Sequence, residues 1–146
     1  MEQLVEALKK AQATSFAFYL KAHNYHWNVE GSNFSEYHEF LGDLYAEVWG
    51  AVDAIAEHCR TLDAYVPGSF SRFQELSSIE DETSVPAGRA MMSKLLADNA
   101  RVITDLTAAY REAEVAGKVG LANFLQDRID IHEKHGWMLR SYTKGE

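Results

Sequence analysis

A chain of 146 residues with 22 acidic side chains against 14 Lys plus Arg, net charge −8, has the size of one domain spanning residues 1–146. Its composition, 47% hydrophobic, 25% charged and 12% aromatic, excludes a disordered or fibrous chain. The single Cys59 excludes an internal disulfide framework and a cysteine zinc centre, and no run of about 18 apolar residues offers a membrane span. The opening MEQLVEALKK leads into no signal-type apolar run, so a soluble protein of a reducing compartment, the cytoplasm, is expected. An acidic excess repels a phosphate backbone and suits cations as partners.

Helical periodicity dominates, because the two prolines, Pro67 and Pro86, both fall in the middle third. Leu4, Leu8, Ala11, Ser15, Phe18, Ala22 and Tyr25 step by three and four, which predicts a first helix over about 2–28. The turn VEGSN follows, with Gly31 available for positive φ and Asn33 as N-cap. A second helix over about 34–62 is marked by Phe34, Tyr37, Leu41, Leu44, Val48, Ala51, Ile55, Cys59 and Leu62. After the Pro-Gly turn in DAYVPGS, the segment SFSRFQELS predicts a two-turn helix with Phe70 and Phe73 facing inward. Ser84 is the expected N-cap of a third long helix with Pro86 in its first turn, and Gly117 closes it. A fourth begins near Lys118–Leu121 and runs to about Tyr142. Short links at both ends and a link of some twenty residues in the middle describe an all-α, ferritin-like four-helix bundle with one long crossover.

Such a bundle usually holds metal inside one chain through Glu-x-x-His pairs, and this sequence has none. The residues three before His38, His58, His132, His135 and His26 are Ser35, Ile55, Ile129, His132 and His23. Of the candidates spread along the second helix, Asp53 and Glu57, at i and i+4 on one face, make a credible half-site. His38 precedes Asp53 by fifteen residues, roughly 22 Å along a helix, so one ion cannot touch both within a chain. Two copies of this helix packed antiparallel about a two-fold axis bring His38 of one to Asp53 and Glu57 of the other, and His26 joins from the end of the first helix. Taken singly, the histidines also read as hydrogen-bonded packing residues and the carboxylates as a solvated face.

The string HWNVEGSNFSEYHEFL followed by DAIAE resembles the signature of the Dps family, the mini-ferritins, and the likeness continues through PGSFSRFQELSSI and LQDRIDIHEKHGWMLRSY. The resemblance implies a homododecameric hollow shell that binds ferrous iron at intersubunit two-fold sites. It further implies oxidation there by hydrogen peroxide, or by O2, and storage of a ferric mineral inside. It makes His26 and His38 ligands from one subunit, Asp53 and Glu57 ligands from its neighbour, and Trp27 the tryptophan beside the site. Zinc is the expected competitor for these donors. Two positions depart from the family pattern: Gly42 stands where a further aspartate ligand is usual, and Asn123 where an aspartate often lines a three-fold pore.

These departures keep open a second reading, a structural Dps-like assembly with weak or no ferroxidase activity, and a third, a monomeric or dimeric metal-binding module. The terminal RSYTKGE offers too few positive charges for many phosphate contacts, so DNA binding is expected to be weak or absent. Trp27 is expected to fill core space, Glu80, Asp81 and Glu82 to form a solvated loop, His132 and His135 to pack, and Cys59 to be a buried thiol.

Overall fold

A computed structural model describes residues 1–144 as five helices: α1 (Glu2–Asn28), α2 (Phe34–Thr61), α3 (Phe70–Leu76), α4 (Gly88–Val115) and α5 (Val119–Tyr142). α1 packs on α2 and on α4, α5 packs on α4 and touches α2, and short α3 lies against α1 in the crossover. This is the expected all-α bundle with one long crossover. Its interior is the predicted stripes turned inward: Leu4, Leu8 and Phe18 from α1, Leu41 and Ile55 from α2, Leu95 and Leu106 from α4, Leu125 and Leu139 from α5. Cys59 is a buried thiol, as expected.

Gly31 and Gly117 take the positive φ their turns need, 98° and 69°. Asn33 stands at the α2 N-cap but works by a different device. Its backbone adopts φ 66°, and its carbonyl, not its side chain, accepts from the helix, at Tyr37 N. Ser84 does not cap α4, which starts four residues later after Ala87; its amide and hydroxyl instead bond Glu82 Oε2. Gly88 opens α4 because a Cβ there would stand 2.9 Å from the Tyr37 ring.

The crossover is anchored by polar side chains more than by its phenylalanines. Phe70 is 83% exposed, correcting the inward expectation, whereas Phe73 stacks on Phe16 of α1 at 4.5 Å. Thr14 and Ser78 both donate to Asp105 Oδ2 at 2.7 Å, tying the crossover to α1 and α4. Nor is Glu82 simply solvated. Tyr25 and Lys94 reach its Oε1, and these bonds, with those from Ser84, hold its carboxyl at about 2, far below the usual carboxylate range.

Candidate metal centre

The last turn of α1 and the first turns of α2 lock two histidines together. The His26 and His38 rings stack at 3.8 Å with an interplanar angle of 15°. Each Nδ1 lies 2.8 Å from the other residue's backbone carbonyl oxygen. A carbonyl only accepts, so both Nδ1 atoms carry the proton and donate. In the uncharged rings both Nε2 lone pairs are then left for a ligand, which is how metal-binding histidines are commonly oriented.

Position 42 has a definite occupant. A Cβ built on Gly42 would lie 3.1 Å from His26 Cε1 and 3.3 Å from His26 Nδ1, so the missing side chain is the space the His26 ring fills. Gly42→Ala is therefore expected to keep or raise thermal stability, since alanine favours helix by about 1 kcal/mol, while displacing the His26 ring and weakening, several-fold, any divalent-metal binding at its Nε2. An anaerobic titration beside a melting curve checks both halves of that prediction.

Asp53 and Glu57 are exposed on α2, and neither has an ion-pair or hydrogen-bond partner among the described residues. The chain thus brings His26 and His38 together and leaves the two carboxylates at a distance. Among the described residues no three His, Cys, Asp or Glu side chains converge within one chain.

Trp27 lies beside the site but does not fill the core; it is 60% exposed. Its partner is His23. The His23 ring stands 3.9 Å from Trp27 and 3.7 Å from Tyr45 of α2, nearly parallel to the latter, and its Nδ1 is 2.8 Å from the Tyr19 hydroxyl. Burial, then the neighbouring His26, lowers its pKa, favouring the neutral ring. The signal for this ladder was present as Tyr19, His23 and Trp27 at four-residue steps on α1 facing Tyr45 and Trp49 on α2.

The bundle interior holds a separate polar network that sequence reading missed. Arg128 donates to both oxygens of Glu47 and to His132 Nε2, and His135 Nε2 donates to Glu47 Oε1 at 2.7 Å. Because arginine cannot accept, His132 is protonated on Nδ1 and donates to Asn99 Oδ1 at 2.9 Å. Asn99 returns a bond to the His132 carbonyl, in space left by Gly136. His132 is fully buried, and that burial, reinforced by the Arg128 and His135 charges, drives its pKa well below 6.5. An arginine at this spot opposes any cation, so the bundle centre is structural.

The whole chain matches known proteins. Residues 5–145 match the ferritin-like domain. The DNA protection during starvation protein of Brevibacillus brevis is 32% identical over 146 residues, covering 99% of this chain and 97% of that protein. The chain belongs to the Dps family of ferritin-like proteins. An uncharacterized low temperature-induced protein of Nostoc sp. is 31% identical over 145 residues, 98% of this chain and 81% of its own length. Among solved structures, a Dps protein of Vibrio cholerae O1, described as a member of a broad superfamily of ferritin-like diiron-carboxylate proteins, superposes with a TM-score of 0.93 at 29% identity. That match covers 98% of this chain and 90% of the other. Dps from Staphylococcus aureus gives 0.94 at 27% identity, covering 100% and 98%. No helix among the described residues is long and apolar enough to cross a membrane.

Proposed function

We propose that this Dps-family chain assembles through two-fold dimers into a cage, a dodecamer by family likeness, which binds ferrous iron between subunits, oxidises it and stores the ferric product. Hydrogen peroxide is the proposed oxidant, with O2 as the alternative, and DNA is a weak partner at best. The observation carrying this reading is the crossed pair of Nδ1–carbonyl bonds in His26 and His38, which leaves two Nε2 donors side by side. Asp53 and Glu57, exposed on α2 and without partners among the described residues, are the matching oxygen donors, to be supplied by the other subunit.

Ferrous iron is the substrate at such a centre. Imidazole suits the ferrous ion, and carboxylates favour the harder ferric ion, so a mixed set assists loss of an electron. Two ferrous ions each give one electron to one peroxide; the O–O bond breaks and, with two protons taken up, two waters leave. Both iron and peroxide are consumed before they meet in free solution. Zinc suits the same donors and competes for them.

The family likeness to diiron-carboxylate proteins supports oxidation chemistry, while Gly42 favours a second reading, an assembly that keeps the interface with little activity. Anaerobic ferrous titration followed by peroxide separates the two. The proposal expects binding that saturates at a fixed ratio of iron to dimer, then a matching step of ferric absorbance. Absorbance rising without saturation, as in protein-free buffer, supports the structural reading.

A further inference from the structure

Phe34 opens α2, and the apolar spacing of that helix groups it with Leu41 and Leu44. The structure sets it apart from them. It is 42% exposed and stands outside the buried core. Its ring lies instead on His38, one helical turn further along, with centroids 5.0 Å apart and planes 21° from parallel. His26 stacks on the same imidazole at 3.8 Å. Two rings this close cannot share one face, so the three form a single pile with His38 in the middle.

The turn between α1 and α2 is built for this arrangement. Gly31 and Asn33 both take positive φ, 98° and 66°, and the Phe34 amide returns to the Gly31 carbonyl at 3.2 Å. The tight reversal delivers the Phe34 ring to His38 within the first turn of α2.

We infer that Phe34 is a positioning residue for the metal centre: its ring clamps His38 against His26, so that Nδ1 stays on the His26 carbonyl and Nε2 alone is presented. The inference rests on the histidine pair put forward under Proposed function and adds what holds that pair in place. The χ2 torsion of a half-buried imidazole is broad, and a half-turn about it moves Nδ1 away from its acceptor. The 2.8 Å bond to the His26 carbonyl restrains one edge of the ring. A flat ring on each face blocks the rotation that one edge-on bond leaves open. Outer partners that fix a ligating histidine are usually carbonyls or carboxylates; here an arene supplements the carbonyl. Phenylalanine also brings no donor or acceptor to compete for Nδ1 or for an arriving cation.

Three substitutions separate a clamp from ordinary packing. Phe34→Ala removes the ring, Phe34→Leu keeps apolar volume without the flat face, and Phe34→Tyr keeps the face. Because Phe34 lies outside the core, all three should melt close to the wild type. Clamping predicts ferrous affinity, measured by anaerobic titration, several-fold weaker in Phe34→Ala and Phe34→Leu and restored in Phe34→Tyr. A second readout needs no metal. In solid-state 15N spectra of histidine-labelled protein at alkaline pH, the signals lost on His38→Ala identify His38. They should report protonated Nδ1 alone in the wild type and both tautomers in Phe34→Ala. Both rings belong to one chain, so this readout holds whatever assembly the variant reaches. A single tautomer in Phe34→Ala, or a Phe34→Leu protein that matches the wild type, overturns the clamp. A wild type that binds no ferrous ion overturns the proposed function instead, and the tautomers then still decide the clamp.

Discussion

Replacing Glu47 by alanine should lower the unfolding free energy by about 3 kcal/mol, the low end for breaking a buried ion pair, because Glu47 itself is about a third exposed. For a chain of this size that is roughly 6–12 °C in Tm. The cause is Arg128, whose side chain is only 6% exposed and would be left charged among α2, α4 and α5 without its carboxylate. The same variant should change the acid limb of the stability profile. Burial alone would raise the Glu47 pKa, but hydrogen bonds from His135 and Arg128 and the guanidinium charge outweigh it and hold the carboxyl at about 2, against an ordinary 4.5. A lowered carboxyl contributes stability above pH 4.5 and loses it as pH falls from there towards 2. His132 adds an earlier decline with the same sign. Its folded form resists the proton that the unfolded chain accepts, so stability begins to fall once pH drops below 6.5. Thermal melts of the wild-type chain between pH 8 and 3 should therefore show loss from near 6.5 and a further fall below 4.5. Glu47→Ala should shrink that further component without abolishing it, because Glu82 is held low as well; an unchanged profile below 4.5 contradicts the assignment.

The second large effect falls on iron. His26→Ala/His38→Ala removes both nitrogen donors and the ring that fills the space over Gly42, while leaving the bundle core untouched, since neither ring is part of it. Loss of even an outer hydrogen bond to a ligand commonly costs 10–100-fold in metal affinity, so loss of both ligands should cost at least about 100-fold in ferrous binding and reduce oxidation to the protein-free rate. The melting temperature should stay near that of the wild type. Oxidation that survives in this variant places the chemistry elsewhere.

The bundle was legible because its stripes are apolar over whole helices: burial of Leu8, Leu41, Leu106 and Leu125 is dictated by spacing alone. Local ends were less so. Ser84 has the residue type of an N-cap, but Glu82 claims its hydroxyl and amide, and Glu82 is held in turn by Tyr25, 57 positions away in sequence. Phe70 and Trp27 are apolar by type yet exposed, because type records hydrophobicity and not where the fold places the side chain. At the proposed metal centre, spacing and family likeness suggested the residue set, whereas the crossed His26–His38 bonds depend on backbone atoms at a helix–turn–helix junction. The role of Gly42 was hidden for a related reason. A residue without a side chain gives no sign of which neighbour occupies its space.

The central claim is that one complete site takes its histidines from one subunit and its carboxylates from another, and mixing of two inactive variants tests it most directly. His26→Ala/His38→Ala and Asp53→Asn/Glu57→Gln chains, each unable to oxidise iron alone, are unfolded together in equal amounts and refolded. A two-fold dimer of one chain of each kind contains one site with all four native ligands and one with none. With random pairing the account predicts recovery of about a quarter of the wild-type saturable ferrous sites, and of the peroxide-dependent oxidation they support. Recovery of none, in a mixture that reassembles to the wild-type mass, would contradict it.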